Sequence, residues 1–360
     1  MPYTKTSTRS WLPTRWMVAG LLFFFLPTFC LAADESMLMM RIGSQSVQGM
    51  PLAWSKSRAL LLQRDGRILE FHPGEASRVE HSPERFRAYS GNDIKPALLR
   101  EFGPQFDVQQ AGHYVVVHPK GSREPWARGF DQLYRSFLHY FHSRGVATAK
   151  PRFPLVAIVL PDETAFLRYA AHDNAELPRN CAGYYSNFSN RVVQYDHGAG
   201  NNSELIIHEA SHQVAFNTGI HHRGSPPPRW LSEGLGTMFE ARGVWNAAAH
   251  PSRADRINVG QLSAFRKHAA ARPAGSLPSF VANDWLFRTN TAAAYGESWA
   301  LSFFLSETRP QAWAQYLRRT GNVQRAATTT PQQRLDEFIQ AFGPDLKMLE
   351  SEFLRFMRDL

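Results

Sequence analysis

The stretch from Asn201 to Glu240, NNSELIIHEASHQVAFNTGIHHRGSPPPRWLSEGLGTMFE, decides how the rest of the chain is read. Within it His208-Glu209-Ala210-Ser211-His212 forms an H-E-x-x-H pentad, and Glu233 follows 21 positions after His212. On a helix, residues four apart lie one turn apart on one face, so both imidazoles are directed at one spot. Two nitrogen ligands of a zinc ion are commonly presented in this way. Glu209 is rotated by about 100° from His208 and falls beside that spot, where a carboxylate can act as general base toward water. A hydrolytic zinc site uses three protein ligands and leaves one position open; Glu233 is the candidate third ligand.

The same segment predicts two helices. Asn201 and Glu204 have the spacing of a capping box, and the first helix runs to Asn217, with Gly219 ending it. Leu205, Ile206, Ile207, Val214 and Phe216 spread around the cylinder, which marks a buried helix. Burying histidines and glutamates there is costly unless something pairs them. After Pro226-Pro227-Pro228 a second helix is expected from Arg229 to about Arg242, closed by Gly243. Trp230, Glu233, Thr237 and Glu240 share one face of it, and Glu240 is the candidate to orient a ligand imidazole through its second nitrogen. The bland alternative for the pentad is a pair of solvated or core histidines. His221 and His222, beyond the helix end, are expected to be solvated loop residues.

H-E-x-x-H followed by W-L-x-E-G resembles the gluzincin pattern of thermolysin-like and aminopeptidase-type zinc peptidases. The wider wording, HEASHQVAFNTG and then RWLSEGLGTMFE, resembles the bacterial family called domain of unknown function 1570, within the peptidase-MA-like group. The resemblance implies Zn2+ on His208, His212 and Glu233, with Glu209 as general base. It also implies an α+β fold: a mixed sheet whose edge strand packs on the metal-binding helix, followed by a mainly helical C-terminal subdomain. By the same resemblance Ala182, Gly183, Tyr184 and Tyr185 are the edge that binds substrate backbone by strand addition, with an ordinary hairpin as the alternative. Tyr295-Gly-Glu-Ser298-Trp299-Ala-Leu301 is similar to the Y-x-x-S-x-x-L segment whose tyrosine steadies the oxyanion, so Tyr295 joins the catalytic candidates. One departure bears on substrate class. The G-x-M-E-N motif that captures a free amino terminus in the aminopeptidases is absent, which weakens an aminopeptidase reading.

Length and composition set the outer bounds. The 360 residues, 43% hydrophobic and 12% aromatic, suffice for a sizeable core. Residues 1–33 read as an export signal: Lys5, Arg9 and Arg15 precede the apolar run Trp16 to Leu26, and the small residues Ala32-Ala33 follow. An uncleaved leader would instead anchor the chain at a membrane. Cleavage leaves Cys181 as the single cysteine, which excludes an intramolecular disulfide and fits a small packed side chain better than a catalytic thiol. The net charge of +9 is spread without any Lys/Arg-rich run, so nucleic acid is not an expected partner. No P-loop, dinucleotide fingerprint or G-x-S-x-G supports nucleotide or serine-hydrolase chemistry.

Along the chain, 34–120 is expected to be a small β-rich region, either an accessory module or the opening sheet of one fold. Asp65-Gly66 marks a hairpin there, and a short helix runs over 95–102. Residues 121–245 form the metal-binding α+β part. Here an amphipathic helix covers Trp126 to Arg144, a continuous apolar run at Pro154 to Leu160 is the candidate central strand, and two strands flank Ser186 to Asn190. Residues 246–360 are expected to be helical, in segments 259–271, 295–307, 311–319, 331–341 and 345–360. The leading expectation is an exported zinc metallopeptidase, a hydrolase of the periplasm or cell envelope, or secreted, acting on peptide or protein substrates. Its rivals are an envelope binding or scaffolding protein that keeps a structural zinc without proteolysis, and a metal-free module in which the pentad is coincidental.

Overall fold

Two sheets are built from two kinds of strand pattern. The computed structural model describes residues 36–122, 125–175, 177, 181–198, 203–322 and 329–360, with the side chains of 203–205 outside that set. The leader expected over 1–33 and the cap expected at Asn201 fall outside the described residues. Ser36–Leu360 forms one unit.

The first sheet is an antiparallel meander with one extra partner. Strands β1 (Ser36–Ile42), β2 (Gln45–Trp54), β3 (Ala59–Leu62), β4 (Ile68–Phe71) and β5 (Ala76–Arg85) lie in the order β4-β3-β2-β1-β5. Gly66, at φ +91°, makes the expected turn between β3 and β4. Its own small core holds Met40, Val47, Ala59, Leu61 and Phe71.

The second sheet is mixed and lies between helices. Its strands are β6 (Phe106–Ala111), β7 (Tyr114–Pro119), β8 (Leu155–Leu160), β9 (Gly183–Ser186) and β10 (Arg191–Tyr195), in the order β6-β7-β8-β10-β9. β7, β8 and β10 run parallel, while β6 and β9 are antiparallel edges. Strands β6 and β7 thus belong with the residues that follow them, and residue 120 falls between two hydrogen-bonded neighbours, β7 and β8. The run LVAIVL is buried throughout because both faces of β8 are covered. On one face Val115, Val117, Val156 and Ile158 meet α1 (Gly91–Phe102) and α3 (Glu163–His172). On the other, Tyr114, Val116, Leu155 and Ala157 meet α2 (Trp126–His142) and α4 (Ser203–Asn217). The aromatic stripe of α2, Phe130, Tyr134, Phe137 and Phe141, is core.

The remainder is helical: α5 (Arg229–Phe239), α6 (Arg242–Trp245), α7 (Val259–Ala269), α8 (Leu277–Ala282), α9 (Trp285–Thr289), α10 (Thr291–Thr308), α11 (Pro310–Thr320), α12 (Pro331–Phe342) and α13 (Leu346–Arg358). Three details differ from expectation. The helix expected to reach Arg242 stops at Phe239, and Gly243 lies inside the short α6, where a Cβ would sit 2.7 Å from the Arg256 backbone nitrogen. The short helices α8 and α9 were not anticipated, since neither is long enough to display a period. α10 starts at Thr291, capped by Asn290, so Tyr295 lies a full turn inside it. The overall architecture is mixed α+β, two sheets followed by a mainly helical C-terminal part.

Candidate metal centre and the cleft beside it

Helix α4 is buried nearly all round, and its polar residues are placed by specific partners. Gln213, fully buried, donates to Val156 O (2.9 Å) and Asn190 O (2.8 Å), which fastens α4 to β8 and to the β9–β10 turn. Asn190 sits at φ +57°, and its side chain exchanges hydrogen bonds with Asn217 (2.8 and 3.0 Å). The Tyr185 hydroxyl donates to the same Asn190 Oδ1 at 2.8 Å. Edge strand β9 is thereby held at a set distance from the pentad. At the far end of α4, Gly219 (φ +81°) ends the helix as its position foretold.

His208, His212 and Glu233 come together. The two Nε2 atoms are 3.2 Å apart, and Glu233 Oε2 is 3.5 Å from each. One ligand atom from each of the three residues lies within 4.8 Å of the others, a group that could hold a metal ion. The outer nitrogens are engaged elsewhere. His208 Nδ1 donates to Glu240 Oε1 at 2.7 Å, and His212 Nδ1 lies 3.2 Å from Ser232 Oγ. Both rings therefore turn Nε2 inward, and the Glu240 carboxylate holds the proton of His208 on Nδ1, the arrangement that leaves Nε2 for a metal. Glu240 is itself held by Asn258 Nδ2 at 2.6 Å, and that amide also donates to Thr237 O at 2.9 Å.

Electrostatics agrees with this donor set. Burial, the largest influence, disfavours a charged His208 ring, yet Glu233, Glu240 and Glu209 outweigh it and push its pKa well above the usual value. Burial would raise Glu233, but hydrogen bonds and charge from both imidazoles hold it far below the ordinary carboxylate range. Three carboxylates gathered around two inward-facing imidazoles make a pocket that favours a cation. The residues present fit a zinc-type ion: two nitrogens and one carboxylate oxygen, with an outer layer of hydrogen bonds fixing the rings.

Glu209 lies beside the triad. Burial foremost, then the charge of Glu233, raises its carboxyl pKa against the opposing pull of His208, His212 and the Tyr185 backbone N–H that donates to it. That N–H does not serve β10; it points off the open edge of β9 toward the site. Tyr295 also faces the triad, its ring centroid 6.3 Å from His208 and 5.8 Å from Phe287. Burial, then the negative charges of Glu233 and Glu209, push its hydroxyl pKa up and keep it a proton donor.

Two glycines in the second helix explain how the elements approach. A Cβ on Gly236 would lie 2.9 Å from His208 Cε1 and 3.2 Å from His212 Cε1. A Cβ on Gly234 would lie 2.5 Å from Ser298 O on α10. One glycine makes room for the imidazoles, the other for the helix that carries Tyr295. A cavity of about 240 Å³ opens next to the triad, lined among others by Tyr185, His212, Phe216, Arg229, Ser232 and Glu233. Tyr185 also borders a larger cleft of about 600 Å³, whose other wall is Arg67 to Glu70 around β4.

The site brings together His208, Glu209, His212, Glu233, Glu240 and Tyr295, with Gly183, Tyr184 and Tyr185 on edge strand β9. Ala182 immediately precedes that strand. Ser232, Gly236 and Asn258 were missed. The first two stand inside the second-helix motif, and Asn258 carried only the signal of a helix cap. His221 corrects the expectation of a solvated loop residue. It is 1% exposed, packs on Phe216 with centroids 5.2 Å apart, and burial, with some help from His212, lowers its pKa to about 3. Cys181 is half-buried, its thiol donating to Gly183 O at 2.9 Å, and burial pushes its pKa up, away from a reactive thiolate.

No curated protein matches the chain. A solved structure that is similar, that of a mutant M1 zinc metallopeptidase from Deinococcus radiodurans, is 14% identical with a TM-score of 0.39. The similarity covers 70% of this chain and 50% of that one, so the chain spans about half the length of that enzyme. Residues 202–326, which carry both helices of the site and Tyr295, match the family described as "Protein of unknown function (DUF1570)".

Proposed function

We propose that the protein is an exported zinc-dependent metallopeptidase that hydrolyses peptide bonds in the periplasm or cell envelope. The observation that carries this reading is the convergence of two inward-facing imidazole nitrogens and one carboxylate beside Glu209, which is itself tied to the open edge of β9. His208, His212 and Glu233 would hold the ion. When bound, zinc polarises a substrate carbonyl and acidifies a neighbouring water. Glu209 takes the proton of the attacking water and returns it to the leaving amide nitrogen; its raised pKa suits both halves of that transfer. Tyr295, held protonated, donates to the oxygen on which negative charge develops. Along Ala182 to Tyr185, the backbone groups not taken by Glu209 and the Cys181 thiol bind an extended peptide as an added strand. Glu240 and Asn258 keep His208 in the required tautomer and orientation. The leader at 1–33 delivers the chain to its compartment; no helix of the described residues is long and apolar enough to cross a membrane.

Metal analysis of the purified chain beside His212→Ala tests the site, and Glu209→Gln tests the chemistry. About one zinc per chain is expected in the parent and in Glu209→Gln, with most of it lost in His212→Ala. Peptide hydrolysis should fall by about a hundredfold or more in Glu209→Gln, and full activity in that variant would end the general-base assignment. The rival reading, a scaffolding protein with a structural zinc, needs a closed fourth position. The cavity beside Glu233 and His212 supports an open one.

A further inference from the structure

We propose that Arg229 is a specificity-determining residue that binds a carboxylate on the substrate beside the scissile bond. The inference rests on the peptidase reading above and adds a substrate class to it. Arg229 opens α5 and lines the cavity next to Glu233 and His212, where it is the only guanidinium among the lining residues described. Its guanidinium lies over the Phe287 ring, 4.4 Å from the centroid, on a residue that also touches Tyr295. A guanidinium held over an aromatic face gains a cation–π contact that restrains the head group without using its N–H donors.

Those donors make one long i,i+4 ion pair and no hydrogen bond among the described residues. The nearest acid is Glu233, whose Oε1 is 3.7 Å from Nε, beyond hydrogen-bond range, while its Oε2 faces the imidazoles. Arg229 makes no hydrogen bond among the described residues, and 44% of its side chain is exposed. Helix stability does not account for it. A cation in the first turn opposes the helix dipole, and Pro228 before it offers no side-chain cap. What the position supplies is a planar, pre-oriented pair of donors within reach of whatever occupies the cavity, the geometry that recognises carboxylate in a bidentate manner. The carboxylate can be the carboxy terminus of a short peptide or an Asp or Glu side chain of a longer one.

The experiment uses the zinc-loaded full chain and one neutral peptide sequence, acetylated at its amino end, in three forms: free acid, amide, and amide with Glu substituted at successive positions. Cleavage is read as kcat/KM, and binding is read separately by calorimetry on the Glu209→Gln protein. A carboxylate form should be favoured over the neutral amide by about ten- to hundredfold, the range of a hydrogen bond to a charged group. The favoured form, free acid or Glu peptide, identifies the source. Arg229→Gln should erase that preference while zinc stoichiometry is kept, and Arg229→Lys, which retains charge without the fork, should restore only part of it. Equal affinity of the Glu209→Gln protein for all three forms, or a preference that Arg229→Gln leaves unchanged, would overturn the proposal. Cleavage without discrimination counts against Arg229 alone; carboxylate-selective binding with no cleavage of any peptide counts against the peptidase reading and leaves Arg229 standing.

Discussion

Single side chains settle whether the centre can hold an ion. Glu240 touches no candidate ligand atom, yet it accepts a hydrogen bond from His208 Nδ1 and is steadied by Asn258. Glu240→Ala is expected to weaken zinc binding by about ten- to hundredfold, the usual effect of losing an outer carboxylate; competition with a chromogenic chelator measures it. The two glycines of the second helix should separate cleanly. Gly234→Ala drives a methyl into the Ser298 carbonyl and should lower stability by about 1–3 kcal/mol in urea unfolding. Gly236→Ala meets only imidazole edges, which can turn aside. Its cost should therefore appear as weaker zinc binding, with a much smaller change in the unfolding midpoint of the metal-free chain. His221 gives the pH dependence its sign. Its folded pKa of about 3 lies below the ordinary 6.5, so below that value the unfolded chain gains a proton that the folded chain refuses. Stability contributed by this residue is complete above pH 6.5 and is lost as pH falls from there toward about 3. His221→Phe should flatten that acid branch when urea midpoints are compared at about pH 7 and about pH 5.

At the level of elements, the spacing between α4 and β9 opens a cleft beside the helix that carries two of the candidate metal ligands. Gln213, Asn190 and Asn217 fix it by hydrogen bonds that cross from helix to sheet. Gln213→Leu keeps much of the volume but strands the carbonyls of Val156 and Asn190, and a loss of about 1–3 kcal/mol in urea unfolding is expected. On the other side of the site, α10 is held by a buried triad: Arg272 donates to Glu297 at 2.9 Å and to Glu350 at 2.6 Å, linking the segment after α7, α10 and α13. Removing one member of such a set leaves a buried charge uncompensated. The strand and helix positions were largely legible in order. LVAIVL announced a strand covered on both faces, and Gly66, Gly145 and Gly219 stand at positive φ where their elements end. Boundaries set by tertiary packing were not. The second helix stops at Phe239, Glu240 keeps helical dihedrals and the chain turns extended at Ala241, while the Glu240 side chain meets His208, a partner 32 positions away that no local propensity registers.

Across the whole molecule, the loop between α4 and α5 gathers the parts. Arg223 donates to Gly66 O of the first sheet (2.8 Å) and to Asn187 O and Phe188 O of the β9–β10 turn (2.7 and 3.0 Å). Ile68 N donates to Phe188 O at 2.8 Å, so the edge strand β4 stands across the larger cleft from β9. The first sheet thereby walls the larger cleft, which shares Tyr185 with the cavity beside the candidate metal ligands. What the sequence by itself determined was the identity and spacing of the chemistry: two imidazoles one helical turn apart, a carboxylate on the next helix, and alternating and continuous apolar runs that divide strand from helix. Those features are legible because a helix and a strand each repeat with a fixed local period, which depends on no distant residue. Only the tertiary structure decided that Ser232 and Asn258 complete the outer layer, that His221 is buried, that Arg229 stacks on Phe287, and that β6 and β7 join the second sheet. Each of these depends on contacts between residues far apart in the chain, and such contacts leave no periodic mark in it.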